Sequence, residues 1–119
     1  MSVQLNGSGY EHAQKLAREG HVVLDERDDW SEHQPTAAEE NGFIREHGTE
    51  DYARWHLGID RSHPEGTKER YKFPYGDFED VHRCAVPAAE SRAGQRKYEE
   101  IELAAAHLHG MLEAIRASA

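Results

Sequence analysis

Tyr98, Ile101, Ala104, Ala105, Leu108, Met111, Leu112 and Ile115 recur at three- and four-residue steps near the C-terminal end of the chain. That period is helical and lays one apolar stripe along a helix expected over residues 97–117. Glu99, Glu100, Glu102, Glu113 and Arg116 fall mainly off the stripe. A stripe of this length has to be covered, either by the rest of the domain or by a second copy, as in coiled-coil seams. Tyr98, Ile101, Leu108, Met111, Leu112 and Ile115 are therefore the candidate interaction residues.

What can cover the stripe is limited. The chain has 119 residues, enough for one domain. It is 37% apolar and 31% charged, so its core must be lean. The remaining start and stop signals predict further short helices. Ser8 and Glu11 frame one over residues 10–19, closed by Gly20. Thr36 and Glu39 have capping-box spacing for another, ended by Gly48 near residue 47. Thr49 opens a third through Leu57, with Gly58 as its stop. The alternation of Trp55, Leu57 and Ile59 also fits a strand. Ser62 to Arg70 reads as a short helix weakened by Gly66. A helix over residues 81–93 either kinks at Pro87 or starts near Cys84. His21 to Leu24 reads as a short strand or extended segment without an obvious partner.

The expected fold is mainly α: a compact bundle of about four to five short helices, with one or two short extended segments. Residues 1–8 read as a flexible N-terminus and residues 9–119 as a single small helical domain. Tyr71, Phe73, Tyr75 and Phe78 cluster around an aromatic Pro-Gly turn at residues 73–76. Such aromatics serve as the lid of a small core or as an exposed binding patch.

The net charge is −9 with His neutral. Residues 1–51 hold 12 acidic and 4 basic side chains, a net of −8, and residues 52–119 hold 11 and 10, a net of −1. This divides the domain into an acidic part, 9–51, and a near-neutral centre, 52–119. The densest acidic run, Leu24 to Trp30, reads as a solvated face, a docking face for a basic partner, or a cation site. The overall charge opposes counterion-release binding to nucleic acid and docking on anionic lipid. No apolar run approaches the roughly 20 residues that span a bilayer, and the first residues lack a secretory pattern. A cytoplasmic location is the expectation. A single cysteine, Cys84, excludes an intrachain disulfide.

Nine histidines are the oddest number in the composition. His107 and His109 point to different faces of a helix and form no clamp, and no His-Glu-x-x-His is present. His82 and Cys84 offer the N/S ligand types that suit zinc or another transition metal, but need partners from elsewhere. The same pair invites a thiol-enzyme reading, although the local signatures around catalytic cysteines are missing. Phosphate-binding loops and nucleophile elbows are also missing. If all nine imidazoles titrate between pH 7 and 5, they cancel the net charge and promote self-association.

Trp55-His56-Leu57-Gly58-Ile59-Asp60, Arg70-Tyr71-Lys72-Phe73-Pro74-Tyr75-Gly76-Asp77, Val81-His82-Arg83 and Ala88-Ala89-Glu90-Ser91-Arg92-Ala93-Gly94-Gln95 follow in that order. This pattern resembles a small uncharacterised bacterial module, found stand-alone or adjacent to phage head-maturation proteases. The resemblance implies a compact helical module with phage-assembly ancestry, and supplies no catalytic residue. The leading functional expectation is a protein-interaction or assembly module that acts on itself or on a protein partner, with no membrane role and no cofactor. The alternatives are a metal-binding or thiol enzyme using His82 and Cys84, and a single-stranded nucleic-acid accessory using Lys68, Arg70, Tyr71, Lys72 and Phe73.

Overall fold

Two small sheets organise the helices of the computed structural model, which describes residues 3–26 and 28–118. In the first, β3 (His56–Asp60) is central, with β1 (Val3–Leu5) and β4 (Tyr71–Pro74) antiparallel on either side. Val3 faces Asp60 and Leu5 faces Gly58 across one edge, and Ile59 faces Tyr71 across the other. In the second, β2 (Val22–Val23) runs parallel to β5 (Val81–His82). The helices are α1 (Gly7–Arg18), α2 (Trp30–His33), α3 (Ala37–Ala53), α4 (Ala85–Gln95) and α5 (Glu99–Ser118).

The architecture is mixed α/β, which overturns the expected mainly helical bundle. Apart from the five-residue β3, the strands are two to four residues long, too short to display an alternating pattern. The β1–β3 and β2–β5 partners are far apart in sequence, and ten residues separate β3 from β4, so no tight hairpin turn announces them. Residues 3–5, expected within a flexible terminus, are a paired edge strand, while Met1 and Ser2 lie outside the described residues. The strand feeds α1 directly: Asn6 is its N-cap and its amide side chain donates to the carbonyls of Ala53 and His56. Gly9 then packs α1 against β3 so closely that a Cβ there would strike the His56 carbonyl.

Of the two readings for residues 55–59, the strand is the one adopted. The third helix stops at Ala53, and Trp55 and Leu57 are buried. Residues 62–70 are mostly a turn, not a helix, with only a 3-10 turn at Lys68–Arg70. Gly66 there takes a φ of 86°, outside the helical region. Other signals are realised as read. Thr36 and Glu39 form the reciprocal capping box. Gly48 breaks α3 with a φ of 85°. The fourth helix begins after Cys84, which puts Pro87 in its first turn, where its missing N–H would have had no helical partner. Phe73 and Pro74 belong to β4, so the chain turns later, at residues 77–80, where Asp77 accepts from the amides of Glu79 and Asp80.

The core sits between the sheets and the α4–α5 hairpin, on which Ala89, Ala93, Ala104 and Ala105 are buried. Leu57, Tyr75, Val81, Val86, Ile101, Leu108 and Leu112 are fully buried within it. No helix among the described residues is long and apolar enough to cross a membrane.

Candidate metal centre

The β2–β5 pair brings the acidic run to the His82-Arg83-Cys84 segment. Val81 N–H donates to the His21 carbonyl and Arg83 N–H to the Val23 carbonyl. Asp25 then lies alongside Cys84, whose backbone N–H donates to Asp25 Oδ1 at 2.7 Å. The intervening Arg83 side chain donates to the Asp25 carbonyl and to Glu113 Oε1 on α5, which fixes the segment to the hairpin. His33 reaches the same place from the end of α2.

Asp25, His33, His82 and Cys84 each offer one ligand atom, and these atoms all lie within 4.8 Å of one another. Asp25 Oδ2 is the hub. It is 2.7 Å from His33 Nδ1, 2.7 Å from His82 Nδ1 and 3.0 Å from Cys84 Sγ, while Sγ and His33 Nδ1 are 3.9 Å apart. The far nitrogen of His82, Nε2, is 2.8 Å from Asp77 Oδ2. His82 and Cys84 are buried, Asp25 is half-buried, and His33 forms the exposed side.

The electrostatics follow from this convergence. Burial by itself would raise the Asp25 carboxyl, but hydrogen bonds from Cys84, His82 and His33 outweigh it and hold the group down at about 2. Burial opposes a charged His82, yet Asp77 and Asp25, one at each nitrogen, keep its pKa above the usual value. The Cys84 thiol is pushed far up, first by burial and then by the Asp25 carboxylate that it faces. A buried, neutral thiol that donates to a carboxylate is the wrong form for nucleophilic attack, so the geometry does not support the thiol-enzyme reading.

The donor set fits a metal of zinc's type: two imidazole nitrogens, a carboxylate and a thiol that a bound divalent cation would deprotonate to thiolate. With both histidines neutral, the carboxylate and thiolate balance a divalent cation within the buried site. Tetrahedral ligands at zinc distances are roughly 3.3–3.8 Å from one another. The contacts at Asp25 Oδ2 would therefore open by about half an ångström, within reach of side-chain rotation. Asp77 adds the carboxylate–histidine contact that typically orients a metal-bound imidazole.

The other sequence candidates lie elsewhere. Ile101, Leu108 and Leu112 are buried inside the chain's own core, and Tyr98, Met111 and Ile115 are half-buried against it. Their stripe is covered intramolecularly. Tyr75 is fully buried, Phe73 packs edge-on against Tyr98, Tyr71 contacts Tyr52 and His56, and Phe78 stacks on Phe43 at 4.3 Å. The aromatics are thus the lid of the core. In the basic segment, Arg70 is buried and donates to the His63 carbonyl, and Lys68 pairs with Glu40 at 3.0 Å. Two of the three basic side chains of that segment are thus engaged within the chain. Sequence reasoning named His82 and Cys84 and noted the acidic run as a cation site, but singled out neither Asp25, His33 nor Asp77 as a ligand or support.

No protein-family model, curated protein or solved structure matches the chain. None of these comparisons bears on the resemblance to the phage-associated module.

Proposed function

We propose that the chain binds one divalent transition-metal ion, zinc best, through Asp25, His33, His82 and Cys84. The observation that carries this reading is the meeting of four ligand atoms of mixed N, O and S type within 4.8 Å. They come from three stretches of chain, the loop after β2, the end of α2 and the His82–Cys84 segment, so the fold brings Asp25 and His33 to a pair that is already close in sequence. The buried imidazole held from behind by Asp77 supports it. Four protein ligands fill a tetrahedral shell, the arrangement of a structural site and not of one that keeps a position open for substrate.

The test uses the full chain without an affinity tag, stripped with chelator, dialysed against micromolar zinc and measured by elemental analysis. One zinc per chain is expected in the wild type, with clear loss in Cys84→Ser and His82→Ala. Equal zinc content in wild type and both variants would place the metal on other histidines and overturn the proposal. So would failure of the wild type to retain zinc.

A further inference from the structure

An open cleft of about 550 Å³ adjoins the site, and Cys84 is part of its wall. Trp30, Ser31 and Gln34 of the α2 segment line it, as do Phe73, Pro74 and Pro87 from β4 and α4. Part of the wall thus belongs to the core and part to a single helical turn.

That turn has little of its own to hold it. A four-residue helix is far below the length at which helices persist alone. None of its residues is buried. The amides of Glu32, His33 and Gln34 bond to the carbonyls of Asp29 and Trp30, so these bonds close the turn on itself. Among the described residues, no backbone hydrogen bond ties α2 to another element. Its tethers are side-chain contacts: Trp30 packs against the edge of the core and its ring lies 5.8 Å from that of His82, while His33 bonds to Asp25 at 2.7 Å and its ring lies 5.5 Å from that of His82. The other three ligands are already fixed without α2. Asp25, His82 and Cys84 are joined by the β2–β5 pairing and by the Cys84 amide bond to Asp25.

Resting on the metal-binding reading, we infer that the ion acts as a clasp, in which His33 is the ligand recruited last and its capture fastens α2 as a wall of the cleft. Three ligands form the seat and the fourth brings the wall. Occupancy of the cleft and of the metal site are then coupled, because anything that uses the α2 wall benefits from its being fixed. Metal supply regulates the shape of the cleft.

Hydrogen–deuterium exchange of the full chain, metal-free and zinc-loaded, reads this directly at the amides of Glu32, His33 and Gln34. The expected result is slowing by about tenfold or more at these amides on zinc loading. His33→Ala should still take up zinc at higher concentration through the remaining three ligands, yet show no slowing at residues 32–34. The clasp is overturned if zinc is bound, by elemental analysis of the same sample, and exchange at 32–34 does not change. It is also overturned if His33→Ala slows these amides as the wild type does. In both cases the metal-binding proposal survives. Absence of bound zinc defeats the metal-binding proposal and the clasp with it.

Discussion

At Asp25 Oδ2 three donors converge on a single oxygen, and at His82 both ring nitrogens face carboxylates. Each group is therefore held from several directions. Asp77 touches only the far side of the His82 ring, so its contribution to metal binding is indirect. Asp77→Asn keeps the shape and removes the charge. We expect zinc affinity to fall by about 10-fold or more, with the far-UV circular dichroism unchanged. Unchanged affinity by calorimetry would show that His82 needs no such support. His56 provides a separate test at this scale. It is buried in β3, bonds to the Tyr52 carbonyl, and burial pushes its pKa down to about 4. Between about pH 6.5 and 4 the unfolded chain takes up a proton that the folded chain refuses, so stability falls as pH falls. The loss attributable to His56 is about 2 kcal/mol from pH 7 to pH 5. Urea unfolding at the two pH values should show a smaller drop in His56→Leu than in wild type, and an equal drop would contradict this. Of the site itself, the His82-x-Cys84 spacing was legible in the sequence. Asp25 was hidden among the neighbouring acidic residues Glu26, Asp28 and Asp29, and nothing in the run marks it out. His33 lies 49 positions from His82, and no local pattern connects them.

Among the elements, α5 was the easiest to read, and its stripe is indeed the face that is buried. Periodicity reports that a face is covered, but not by what. Here α4, α1 and the first sheet cover it. Leu108→Ala and Leu112→Ala should therefore destabilise the monomer by about 2–5 kcal/mol each, the range for emptying a packed core position. The denaturation midpoint should not depend on protein concentration. A midpoint that shifts with concentration in the wild type and not in the variants would restore an intermolecular role to the stripe. The capping signals of α3 were also legible, because they are local and chemical. Among the strands, β2 was readable as an extended segment and β3 as one of two alternatives, but their pairing was not. β2 and β5 are two residues each, and their parallel pairing spans nearly 60 positions of chain. That undetectable pairing is what builds the site. The contact of α1 with β3 is equally non-local and depends on Gly9. Gly9→Ala should cost about 2–3 kcal/mol of stability, since the new methyl must push the helix off the strand. Thermal unfolding at the wild-type midpoint would show that the contact yields freely.

Over the whole molecule, the −9 charge is less open to cancellation by acid than nine histidines suggest. Burial keeps His56 neutral down to about 4 and also lowers His12, so the two join the titration late. His82 is already biased towards its charged form by Asp77 and Asp25. The histidines do not act as one pool, and the fold gives some of them distinct tasks. In the proposed site, three segments of the chain, carrying Asp25, His33 and the His82–Cys84 pair, meet on a metal ion with a thiolate among the ligands. Cobalt(II) substituted for zinc reports this directly, because a cysteine thiolate bound to cobalt gives an intense near-ultraviolet charge-transfer band and tetrahedral geometry gives strong visible bands. Both features are expected at one cobalt per chain, with the charge-transfer band lost in Cys84→Ser. A wild-type spectrum with only the weak bands of six-coordinate cobalt, unaltered by Cys84→Ser, would contradict it.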